Sequence, residues 1–204
     1  MHMPTPQYQI TWTPLAWVRA GCVVALFLYG VVGTLHYEAF NFLHGVNLLI
    51  HEFGHMFFQL FGNETLYVLG GTLAQLIMPC LFTGYFFLAR QYYSAAVVLF
   101  WVGQNFLDIA VYMRDARALQ LPLVGVGGDG GEGIHDWNYL FDKWGVLIYD
   151  LRIANITAGI GVLLLLAFLC LGLYYACERT LIPPPEPAEE RPKREIVCTD
   201  YLAK

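Results

Sequence analysis

The chain has 204 residues, of which 57% are hydrophobic and 13% charged, and its net charge is −5. Soluble domains carry roughly 25% charged residues, so this chain has too few to wrap an apolar core in water, and one domain set in a lipid bilayer is expected. The 11 basic residues are scattered along the chain, which leaves no electrostatic footprint for nucleic acid.

Residues 1–14 are polar without a basic start, and the apolar run that follows is too long for a cleaved signal peptide, so the first span is expected to stay as an anchor. A helix needs about 20 apolar residues to cross a bilayer. Five segments qualify: residues 15–35, where Arg19 can snorkel to the interface, and residues 40–61, 66–88, 95–113 and 153–175. The turns around residues 62–65 and 90–91 are short, which makes the second, third and fourth helices antiparallel neighbours and runs the second and fourth in the same direction. Beyond Arg114-Asp115-Ala116-Arg117 comes a glycine-rich loop, residues 125–135. Residues 137–149 mix aromatics with Asp142 and Lys143 as an interfacial helix does, with Asp136 as its N-cap.

Residues 15–178 thus form an all-α, polytopic membrane domain of about five transmembrane helices plus one interfacial helix. Residues 179–204, which include Pro183-Pro184-Pro185, are expected to be a disordered charged tail. The expected location is the cytoplasmic membrane of a bacterium. Arg179, Arg191, Lys193 and Arg194 favour a cytoplasmic C-terminus, while Arg114, Arg117, Lys143 and Arg152 dilute that signal. No internal repeat marks an inverted-repeat transporter. The five cysteines contain no C-x-x-C pair and are read as apolar fillers.

The chemistry concentrates in His51-Glu52-Phe53-Gly54-His55. Two histidines four apart project from one face of a helix and can bind one metal ion, while Glu52, about 100° around, can serve as general base to a water. The pentapeptide sits mid-span, where each ionisable side chain costs about 2.5–3.5 kcal/mol on insertion scales and therefore needs a partner. His44, Asn47, His51, His55 and Gln59 continue one polar seam, which must face protein or water. His44 is read as an interhelical hydrogen-bonding histidine.

A catalytic zinc site needs a third protein ligand and one open position. At about 1.5 Å per residue, Asp108 lies about 8 Å past the midpoint of its span and His55 about 5 Å past its own, so their depths match. His135, just after the glycine-rich loop, is the rival, with Asp136 or Glu132 as an outer partner or substitute. Gln75 and Asn105 are the remaining intramembrane amides, suited to tying helices together or to binding a substrate backbone. The donor set suits Zn2+ but does not distinguish it from iron or cobalt.

His51 to His55 within a span, Gly70-Gly71-x-x-x-Gln75 in the next and Asn105-x-x-Asp108 in the one after together resemble the site-2 protease family of intramembrane zinc metalloproteases. The resemblance covers residues 40–115. It implies that His51 and His55 bind zinc, that Glu52 is catalytic and that Asp108 completes the site. It also implies peptide hydrolysis in a membrane-embedded or membrane-proximal substrate. Where that family has Leu-Asp-Gly, this chain has Leu107-Asp108-Ile109. The competing expectation is a catalytically inactive metal-binding scaffold or accessory subunit. A di-iron oxygenase would need more histidines than His2, His36, His44, His51, His55 and His135 supply.

Overall fold

The computed structural model describes residues 8–35, 42–121 and 135–182. Among them are six α-helices: α1 (Pro14–Leu35), α2 (Phe42–Gln59), α3 (Glu64–Leu88), α4 (Tyr92–Arg114), α5 (Asp136–Lys143) and α6 (Asp150–Ala176). Local chemistry sets several of their ends. Pro14, which has no N–H to leave unpaired, opens α1. Gly62, at φ 65°, follows the last turn of α2, and Asn63 then caps α3 by accepting the Leu66 N–H at 2.9 Å. Arg90, at φ 59°, turns the chain from α3 into α4. These turns are short, as the sequence requires of antiparallel neighbours.

Four helical stretches are long and apolar enough to cross a membrane: α1, α3, α4 and the run Leu147–Ala176, in which a 3-10 turn (Leu147–Tyr149) leads into α6. Large apolar side chains such as Leu28, Val32, Leu81, Leu163 and Leu166 stay exposed on them, as expected for contact with lipid tails. The second expected span, residues 40–61, is helical as α2, but it is not one of these four. His44, Asn47, His51, Glu52, His55 and Gln59 dilute its apolar character, and Asn47, His51 and Gly54 are its buried residues.

Helices in lipid gain little from burying apolar surface against one another, so close approach at small residues does much of the packing. A Cβ on Gly54 would collide with the Gly70 carbonyl oxygen, which fixes the α2–α3 crossing at that pair of glycines. Leu165 of α6 fills the space over Gly103 of α4, and Leu107 of α4 fills the space over Gly161. Val23 of α1 lies over Gly172 of α6. Near the C-terminal end of α4, Arg117 donates to the buried Asp150 through Nε and Nη2, each at 2.7 Å, and Arg114 donates to Asn155 at 2.8 Å.

The chain divides into two units, residues 12–178 carrying the helices and the terminal segments forming the other. In the latter, β1 (Tyr8–Thr11) pairs with β2 (Glu178–Leu181). The strands lie at the inner edges of the expected polar N-terminal segment and charged C-terminal tail. Tyr8, Ile10, Thr11 and Thr180 suit extended backbone. The rest of the expected tail, residues 183–204, and the glycine-rich loop with Asp129 and Glu132 lie outside the described residues.

Candidate metal centre

The histidine pair of α2 is held from the side of α3. Gly71 has no side chain, and a Cβ there would meet the His51 imidazole at 2.5–2.7 Å, so the ring lies in the space the glycine leaves. One turn on, Gln75 presents its carbonyl oxygen to His51 Nδ1 at 3.1 Å. His55 Nδ1 lies 2.9 Å from the Tyr67 backbone carbonyl, which can only accept. Each Nδ1 therefore carries its proton outward, and in the neutral ring the lone pair is left on Nε2.

Both Nε2 atoms converge on one carboxylate oxygen. Asp136 Oδ2 lies 2.8 Å from His51 Nε2 and 3.1 Å from His55 Nε2, and the three donor atoms are all within 4.8 Å of one another. Two nitrogen lone pairs and a carboxylate oxygen attract only if a cation sits among them, either protons or a metal ion. An ion about 2.0–2.1 Å from tetrahedral ligands keeps those ligands about 3.3 Å apart, so the two short contacts to Asp136 would open by a few tenths of an ångström to admit one. The residues fit a divalent ion: three buried or half-buried donors, two with their orientation fixed by an outer acceptor. When the imidazoles carry a proton on Nε2 they donate to Asp136; burial opposes the charge on that carboxylate, but these hydrogen bonds outweigh it and hold the carboxyl below its ordinary range.

Glu52 is half-buried and lies within electrostatic reach of His55 and of the Tyr112 hydroxyl. Among the described residues it forms no hydrogen bond or ion pair.

The third member of the group is neither of the two residues favoured from the sequence. Asp108 accepts a 2.6 Å hydrogen bond from Asn47 Nδ2 and lies 3.5 Å from His44 Nδ1. Asn47 Oδ1 in turn accepts from Trp101 Nε1 at 2.7 Å. This second polar knot sits at His44 and Asn47, one to two turns before His51 on α2, and agrees with the interhelical reading of His44. Asn105 ties back to the Trp101 carbonyl at 3.1 Å within α4.

His135 and Asp136 exchange the parts expected of them. His135 is the N-cap of α5, its Nδ1 accepting the Asn138 N–H at 3.2 Å, and its Nε2 faces Asp115 Oδ2 at 3.4 Å. Burial holds its pKa below the usual imidazole value despite the carboxylates nearby, which suits a neutral ring that accepts at Nδ1. Asp136, expected to cap the helix, is its first residue and aims its carboxylate at the histidines instead. The two residues are adjacent, and a one-residue shift in where the helix starts decides which of them reaches the site.

Several contacts dock α5 here. Asp136 N–H donates to the Tyr112 hydroxyl at 3.1 Å, Asn138 Nδ2 donates to the Ala116 carbonyl at 2.7 Å, and Trp137, Leu140 and Phe141 share a buried cluster with Val68, Ile109 and Met113.

Gln75 is the residue whose role the sequence left open, and it carries a test. Gln75→Leu keeps the volume but removes the acceptor for His51 Nδ1. Loss of such an outer partner costs about 10- to 100-fold in metal affinity, and competition against a chromogenic chelator should read that drop. Unchanged affinity would mean that the contact does not orient His51.

No protein-family model matches the chain, and no curated protein or solved structure is significantly similar to it.

Proposed function

We propose that this protein is a membrane-embedded metallopeptidase of zinc type, with His51, His55 and Asp136 as metal ligands and Glu52 as general base. The convergence of both Nε2 atoms on Asp136 beside an unengaged glutamate carries the reading. A bound ion would supply Lewis acidity towards a carbonyl and a water. Glu52 takes the proton of the attacking water and returns it to the departing amine. Gln75 and the Tyr67 carbonyl keep the two imidazoles in place, and α5 closes one side of the centre through Asp136. The proposed substrate is a membrane-embedded or membrane-proximal protein segment, because α2 and α5, which carry the centre, pack against α3 and α4, two of the four helical stretches long and apolar enough to span a bilayer. The four helical stretches long and apolar enough to cross a bilayer support an integral membrane protein, and a bacterial cytoplasmic membrane is the location proposed.

The test is cleavage of a membrane-spanning reporter by the purified, zinc-loaded protein in lipid. Cleavage is expected to stop when the metal is chelated and to return when zinc is restored. A preparation that holds about one zinc per chain and shows no chelator-sensitive cleavage would overturn the peptidase reading in favour of a metal-binding scaffold.

A further inference from the structure

Tyr112, in the last turn of α4, stands where His51, His135 and Asp136 meet. Its ring packs against His135 with centroids 4.2 Å apart and meets His51 edge-on at 6.0 Å. Its hydroxyl oxygen accepts the backbone N–H of Asp136 at 3.1 Å and lies within electrostatic reach of the Asp136 and Glu52 carboxylates.

A phenol both accepts and donates. The Asp136 N–H occupies the accepting side and fixes the oxygen, and no acceptor among the described residues takes the hydroxyl proton. A donor held still beside a ligand and the general base is placed for an oxygen that gains negative charge in that space. A backbone contact serving only to seat α5 would not need a side chain with a proton left to give.

We propose that Tyr112 is a substrate-contacting residue of this centre, donating its hydroxyl proton as a hydrogen bond to the carbonyl oxygen of the bond under attack. The inference rests on the metallopeptidase reading and extends it to the electrophilic side of the site. No covalent bond to Tyr112 forms, and the phenol keeps its proton throughout.

The experiment uses the full chain in detergent micelles, loaded with Co2+, with acetohydroxamate as a small oxygen ligand that mimics the charged carbonyl. Visible absorption reads both cobalt binding and hydroxamate binding. Tyr112→Phe is expected to bind cobalt as tightly as the native chain while its hydroxamate affinity falls about tenfold or more, the scale of one hydrogen bond to a charged group. Equal hydroxamate affinity in the two proteins would overturn the proposal. A loss of cobalt affinity without a separate loss for hydroxamate would overturn it too, since Tyr112 would then only seat Asp136. A native chain that binds no cobalt would refute the metal centre itself, a failure visible before any hydroxamate is added.

Discussion

Asp136→Asn is expected to lower zinc affinity by about 100-fold or more, while Asp108→Asn and His135→Asn leave it within a few-fold of the native value. The size follows from sharing a binding free energy of at least about 10 kcal/mol among three protein ligands, about 3 kcal/mol each. Asparagine keeps the shape of each aspartate and removes the anionic oxygen a divalent ion needs. At position 108 it can still accept from Asn47, so the polar knot around His44 survives. At position 135 asparagine is a strong N-cap, so α5 keeps its first turn and loses only the imidazole. Competition titration of the three purified variants against a chelator of known affinity reads the result. Zinc affinity lost in Asp108→Asn and retained in Asp136→Asn would reverse the assignment of the third ligand. Binding is also expected to weaken as pH falls, because protons compete for the same Nε2 atoms and the same carboxylate.

The residues on which that test turns show what a linear reading can reach. His51, Glu52 and His55 are legible because their geometry is local: a spacing of four on a helix places both imidazoles together whatever the rest of the chain does. Gly70, Gly71 and Gln75 are visible as a pattern, but their role depends on how α2 and α3 cross, which Gly54 and Gly70 settle by letting two backbones touch. Asp136 is a different case, since it lies 85 residues from His51 in the chain and reaches it from a helix that begins after the glycine-rich loop.

Depth arguments favoured Asp108 because they compare positions along helix axes and say nothing about which way α4 is rotated. In the structure that rotation brings Asp108 to Asn47 and His44 instead, and brings Tyr112, one turn later, to His51 and Asp136. For the neighbouring pair, intrinsic preferences point the other way, since aspartate is the better cap and histidine the commoner zinc ligand. In the structure His135 Nδ1 accepts the Asn138 N–H and its Nε2 lies 3.4 Å from Asp115, which keeps the ring on the cap side and away from the histidine pair. The all-α architecture was readable from composition alone. The strand pair at Tyr8–Thr11 and Glu178–Leu181 was not, because each strand is four residues long and its partner stands at the other end of the chain.

Glu52→Gln separates chemistry from metal binding and is expected to have the largest effect on activity. The amide matches the carboxylate in shape but cannot take a proton, so a step that relies on general-base catalysis should slow by about 10²- to 10⁴-fold. Glu52 is not one of the three ligands, and zinc content and affinity should stay at native levels. Gln75→Leu should show the opposite pattern, with weakened zinc binding and cleavage that recovers when zinc is in excess. Joining Glu52→Gln to Asp136→Asn should add little to the worse single change, because residues that act as one unit fail together. Single-turnover cleavage of the membrane-spanning reporter, with metal content measured on the same samples, reads all of these. If Glu52→Gln cleaved at the native rate with zinc bound, the unengaged carboxylate beside His51 and His55 would not be the base, and the peptidase mechanism proposed here would fail at its central residue.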